Sequence, residues 1–227
     1  MATQLLDHTL GNLACNIPGA TRVFHAFHLD FCCGGQKSLR QAALERGIDA
    51  LAVQERLLAL NPDDALEADW RKASAERLIE HLLQRYHEVH RQQLPELIRL
   101  AARVEQVHGS RAECPRGLTD LLIAMQQELE SHMQKEEQIL FPMINRGGGV
   151  MAGGPISVMR YEHEQHGDAL EQLIELTDDM QPPAAACNTW RALYRGLDEL
   201  RIDLMQHIHL ENNLLFPRAL GEEAQNG

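Results

Sequence analysis

Apolar residues recur along most of this chain three and four positions apart, the spacing of one face of an α-helix. Four such stretches lie at residues 74–107, 116–145, 155–180 and 187–214. In the second, Leu122, Met125, Leu129, Ile139 and Leu140 all fall within roughly 60° of the face that carries His132 and Glu136, at 100° per residue. In the fourth, Leu193, Leu197, Leu204 and Leu214 form the matching stripe. The breaks have local causes. Pro115 and Gly117 open the second stretch and Gly147-Gly148-Gly149 closes it. Pro155 suits a first helical turn, where its missing N–H costs nothing, and Pro182-Pro183 ends the third stretch. Pro95 lies inside the first and predicts a kink or a break.

Asn61-Pro62-Asp63-Asp64 interrupts the helical pattern with turn-forming residues. The expected division is a small N-terminal domain at 1–60, a linker at 61–73 and a bundle at 74–220. Aromatic residues make up only 4% of the chain, which disfavours strands, while Leu, Ala, Glu, Gln and Arg are common. The expected fold class is therefore all-α, a small helical domain followed by an antiparallel four-helix bundle.

The second half of the bundle repeats the first. His132-x-x-x-Glu136, four residues, then Phe141-Pro142 recurs as His207-x-x-x-Glu211, four residues, then Phe216-Pro217. Upstream, the tetrad His87-Glu88-Val89-His90 is echoed by His163-Glu164-Gln165-His166. A histidine and a glutamate four apart share one helix face, and here that face is otherwise apolar. A carboxylate on a core stripe is costly unless it is paired or metal-bound. Two of them, each one turn from an imidazole and at matching places in a repeat, are how a bundle builds a dinuclear metal site. Each tetrad offers one more ligand, but periodicity and symmetry leave open which of its two histidines is used. Nitrogen and oxygen donors without thiolate suit iron, manganese or zinc. Glu128, four residues before His132, and Glu162, beside His163, are candidates to line a route to the metals or to hydrogen-bond a ligand imidazole. His81, His108 and His209 are expected at the surface.

The net charge of −12 argues against a nucleic-acid or anionic-membrane partner. No apolar run reaches the roughly 18 residues of a membrane span, and Met1–Leu13 lacks the basic-then-apolar order of a signal peptide. Five cysteines are an odd number, unlike a secreted disulfide framework. A reduced, cytoplasmic protein is the expectation. Cys32 and Cys33 precede Gly34-Gly35 and a helical run starting near Ser38, where backbone N–H groups can lower a thiol pKa. The pair is a candidate redox or thiol site, set against two cysteines simply packed in a small domain.

The histidine-rich helices resemble the hemerythrin-like di-iron bundle. Together with Asp30-Phe31-Cys32-Cys33-Gly34-Gly35, nearly the whole chain is similar to the iron–sulfur cluster repair di-iron proteins of the YtfE/ScdA type. The resemblance implies two non-haem iron ions with an oxo or hydroxo bridge. It assigns the first histidine of each tetrad, so the implied ligands are His87, His132, His163 and His207, with Glu136 and Glu211 bridging. It implies repair of clusters damaged by nitric oxide or oxidative stress, with iron–sulfur proteins as clients, nitric oxide or oxygen as the small ligand, and a homodimer as one assembly. Iron donation and nitric oxide reductase activity are both compatible with it. The alternatives are a hemerythrin-like sensor or carrier and a structural dizinc bundle. Oxygen-carrying hemerythrins place two histidines one turn apart on the third helix, whereas here Gly167 and Met159 occupy the positions four either side of His163. An open coordination position at one iron follows, which favours small-molecule reactivity.

Overall fold

The computed structural model describes residues 2–61 and 70–222, so most of the expected linker lies outside the described residues. Helices account for the regular structure. Among the described residues no strand forms, only an isolated bridge between Thr9 and Ser38. The chain divides into two compact units. One comprises Met1–Ile79, Gly147–Gly153 and Met205–Gly227, and the other Glu80–Arg146 and Gly154–Leu204. This division places Met205–Gly227 with the N-terminal region, where the sequence pattern groups residues up to 220 with the bundle.

The first unit carries four short helices near its N-terminus: α1 (Leu10–Asn16), α2 (Ala20–Ala26), α3 (Leu39–Arg46) and α4 (Ala50–Leu58). The starts of α1, α3 and α4 are fixed by side-chain caps. Thr9 accepts from the Asn12 N–H, Ser38 from Gln41 and Asp49 from Leu51. Gly47, at φ 67°, ends α3 in the left-handed conformation that glycine adopts without steric cost. Leu10, Phe24, Leu29, Phe31, Leu39 and Val53 form the centre of a core against which Met205 packs.

The second unit contains the longer helices. α5 (Ala75–His81), most of which belongs to the first unit, runs through a π-helical turn, Leu82–His87, into α6 (Glu88–His108). Pro95 lies inside α6 without ending it. α7 (Leu118–Lys135) passes through a second π turn, Glu136–Leu140, into α8 (Phe141–Asn145). α9 is Gly153–Thr177 and α10 is Asn188–Leu210. α10 then passes, within the first unit, through a third π turn, Glu211–Leu215, into α11 (Phe216–Leu220). The fourth helical stretch thus reaches Leu220 rather than 214. α6 and α7 are antiparallel, tied at one end by Arg91 to Glu130 and at the other by Thr119 to Glu105. α6 and α10 are antiparallel too. His108 stacks near Trp190 at 5.2 Å, Gly196 lies against Leu97, and the π turn before α6 is tied to α10 by Arg85 and Asp203.

The π turns explain two departures from the helical wheel. Ile139, expected on the buried stripe, is 53% exposed, and Leu214 is only half-buried. Each lies inside a π turn, where the wider winding delays the face by about one residue. Leu140 and Leu215, one position later, are the buried residues.

Candidate metal centre

Each π turn falls at a residue that the sequence marks as a ligand. Leu82–His87 ends at His87, Glu136–Leu140 begins at Glu136, and Glu211–Leu215 begins at Glu211. Their i→i+5 bonds run from the Glu88 N–H to Leu83 O, from Phe141 to Glu136 O, and from Phe216 to Glu211 O. The Phe-Pro that follows each glutamate suits this geometry. A proline two residues into the following α-helix has no N–H to leave unpaired there. π-helical turns are frequent at functional sites.

In the second unit, His87, His132, Glu136 and His163 are brought together and are essentially inaccessible to solvent. The Nε2 atoms of His132 and His163 approach to 3.1 Å. Glu136 turns one oxygen to each of two histidines. Oε1 lies 3.4 Å from His132 Nε2, and Oε2 lies 3.4 Å from His87 Nε2. Neighbouring ligands on a metal with bonds of about 2.1 Å are separated by roughly 3 Å, so these spacings fit cation coordination. Imidazole nitrogens with a carboxylate and no thiolate form a set suited to iron, manganese or zinc. In the first unit, His207 and Glu211 are also buried, with His207 Nε2 3.2 Å from Glu211 Oε1.

The outer ring nitrogens are held by carboxylates. His87 Nδ1 lies 2.8 Å from Glu137 Oε1, which also accepts from Arg91 Nη1 at 2.9 Å. Arg91 Nε and Nη2 in turn reach Glu130. His132 Nδ1 lies 2.9 Å from Glu162 Oε2, and Lys135 pairs with the other Glu162 oxygen. A neutral imidazole that donates through Nδ1 presents the Nε2 lone pair inward, the tautomer a metal requires. The hydrogen bond with His132 holds the Glu162 carboxyl at about 2; burial opposes it and Lys135 adds to it. Burial pushes Glu137 up, but hydrogen bonds from Arg91 and His87 outweigh it and leave the carboxyl below its ordinary range. Both carboxylates are thus ionised at neutral pH.

The other tetrad members are buried too. His166 sets its ring at 89° to His132, with centroids 5.1 Å apart. His90 lines a cavity of about 530 Å³ with Arg91, Gln126, Glu130 and Ser131. Glu128 is exposed on α7. Sequence reasoning missed Glu137 and Arg91, although Glu137 directly follows a marked glutamate.

The hemerythrin HHE cation binding domain matches residues 78–219, and the ScdA_N domain, a domain of unknown function (DUF542), matches residues 6–61. The iron–sulfur cluster repair protein YtfE of Dickeya chrysanthemi is 52% identical over 217 residues, 96% of this chain and 98% of that protein. This chain belongs to the hemerythrin HHE family, in its YtfE branch. Proteins with the same name from Edwardsiella ictaluri (51% over 216 residues) and Musicola paradisiaca (52% over 218) cover 95% and 96% of the chain and 98% of their own lengths. A hemerythrin HHE domain is a cation-binding helical bundle, and the buried histidines and glutamates described above all lie within the matched region.

The second matched domain holds the cysteine pair. Cys32 Sγ and Cys33 Sγ are 3.5 Å apart and both residues belong to a loop built on Asp30. Asp30 Oδ1 accepts from the backbone N–H groups of Cys32 and Cys33, and Oδ2 from that of Gly34. This overturns the expectation of a thiol activated by backbone donors. The donors are spent on a carboxylate, and α3 begins only at Leu39. The hydrogen bond with Cys33, burial and the nearby Asp30 push the Cys32 thiol well above its ordinary pKa. His209, expected at the surface, is buried with its ring edge against Phe31, 5.4 Å between centroids. Burial lowers its pKa to about 4.

Proposed function

We propose that this protein repairs iron–sulfur clusters damaged by nitric oxide or oxidants, using two non-haem iron ions held by His87, His132, His163, His207, Glu136 and Glu211. The observation that carries the reading is Glu136, a fully buried carboxylate whose two oxygens face two different imidazoles. A carboxylate with its oxygens turned to two different imidazoles is placed to join two cations. The sequence repeat supports Glu211 and His207 as the counterparts of Glu136 and His132. The names of the relatives support cluster repair as the task.

When bound, the two irons supply a redox-active centre able to release iron or to bind a small ligand such as nitric oxide or oxygen. The chain's own residues exclude water around the six donors and hold the protons of His87 and His132 at Nδ1 through Glu137 and Glu162. No described helix is long and apolar enough to cross a membrane. The charge of −12 disfavours a nucleic-acid partner, and the proposed setting is the cytoplasm under nitrosative stress, with a homodimer as the proposed assembly. The test is recovery of a [4Fe–4S] enzyme inactivated by nitric oxide. Iron-loaded protein should restore client activity, while Glu136→Gln protein should restore little. Equal recovery by both would contradict the proposal.

A further inference from the structure

The cysteine loop is fastened to the segment that follows Glu211. Asn212 Nδ2 donates to the Cys32 carbonyl at 3.1 Å, and Asn213 Nδ2 to the Phe31 carbonyl at 3.4 Å. Asn213 Nδ2 also lies 3.0 Å from His209 Nδ1, and the Asn213 carbonyl accepts from the Cys15 thiol at 3.8 Å. Two glycines permit the close fit. A Cβ at Gly11 would stand 2.5 Å from Asn213 Oδ1, and one at Gly35 would stand 2.6 Å from the Phe31 carbonyl. The backbones of these glycines are themselves joined, the Gly11 N–H donating to Gly35 O at 2.8 Å.

The π turn supplies both asparagines of this contact. Glu211 and the two asparagines share its five residues, with Glu211 inaccessible and the asparagines half-buried. The first copy of the repeat spends the same position differently. There the residue after the glutamate is Glu137, which holds His87. The asparagine that replaces it in the second copy holds Cys32 instead.

We infer that Asn212 and Asn213 are positioning residues that link the Cys32–Cys33 loop to Glu211, so that cation binding and thiol accessibility each alter the other. The inference rests on Glu211 being a ligand. A cation that fixes Glu211 also fixes the asparagines one and two residues on, and these hold the Phe31 and Cys32 carbonyls. Opening the loop to expose the buried Cys32 thiol then requires breaking a turn the cation has stiffened. Linkage makes the effect reciprocal, so an opened loop weakens cation binding.

The test compares alkylation of the full-length protein by iodoacetamide, without metal and at saturating iron(II), with each modified cysteine read by peptide mass spectrometry. The sulfur displaces iodide and the thiol proton leaves to solvent, so the rate reports access to the thiol. Iron(II) should slow modification of Cys32 and Cys33 by about 5-fold or more in the unaltered protein. In Asn212→Asp, which keeps the size and removes the donor, that ratio should fall to within about twofold. Asn213→Asp carries the comparison if Asn212→Asp loses its helicity. Iron content is measured on the same samples and on Glu211→Gln. Unchanged iron in Glu211→Gln overturns the ligand assignment on which the inference rests. Normal iron loading with no iron effect on the thiols, or with the full effect retained in the asparagine variants, overturns the inference alone.

Discussion

Replacing Glu137 isolates the outer carboxylate from the cation donors. Its Oε1 is 2.8 Å from His87 Nδ1 and is steadied by Arg91 at 2.9 Å. Glu137→Gln keeps an acceptor in place but removes its charge. A charge-assisted hydrogen bond contributes about 1.5–3 kcal/mol and a neutral one about 0.5–1.5. The exchange should cost about 1–1.5 kcal/mol, or about 5- to 12-fold in iron affinity. Glu137→Leu, which also lets the imidazole turn, should approach the roughly 100-fold upper range for such partners. Glu130→Gln is the control, because Glu130 bonds Arg91 but not His87. It should change affinity by less than about threefold, as expected of a part-exposed ion pair. The assay is competition for iron(II) against a coloured chelator, with circular dichroism to check the helices. Equal affinities for Glu137→Gln and the unaltered protein, or an equal loss in Glu130→Gln, would refute the reasoning.

Other outcomes follow from the same geometry. Alanine at His87 or His163 should strip iron, while alanine at His90 or His166 should cost no more than about 10- to 100-fold in affinity; iron analysis of the four variants checks this, and loss confined to His90→Ala would reverse the assignment on α6. Gly196→Ala should lower stability by about 1 kcal/mol, because its Cβ would meet Leu97 Cδ2 at 2.8 Å and overpacking outweighs the gain in helix propensity; a higher melting temperature would contradict this. Burial raises the Cys15 thiol from 9.0 to about 11. Its alkylation should therefore reach half-maximal rate near pH 11, and the stability it contributes is present below about pH 9 and lost as pH rises through 11. A Cys15 rate profile centred near 9 would sink that reading.

Much of the fold can be read from the chain because its main signals are periodic. The Leu and Met stripes and the Pro and Gly breaks yield the helical stretches. A buried glutamate one turn from a histidine, twice over at the same offset, is a pattern that surface helices have no reason to carry. What escapes is what breaks periodicity. The π turns shift the apolar stripe past Ile139 and Leu214, and a wheel of constant pitch cannot anticipate that. Phe141-Pro142 and Phe216-Pro217 are the only sequence signals of the shift, and they are legible once a π turn is considered. Long-range partners escape as well. His209 reads as a surface histidine because Phe31 covers it from a distant part of the chain. Asp30 reads as a loop residue, yet it takes the backbone N–H groups that would otherwise have activated the thiols. Neither Asn212 nor Asn213 has a chemistry that marks it in advance.

The proposed centre is a pair of irons joined through Glu136 and Glu211. Mössbauer spectroscopy with iron analysis on protein loaded with isotopically enriched iron tests it most directly. Two irons per chain are expected, with spins that pair into a diamagnetic ground state in the diferric form, and that signature should be lost in Glu136→Gln and Glu211→Gln. A single magnetically isolated iron per chain, or an unchanged pair in both glutamine variants, would contradict it.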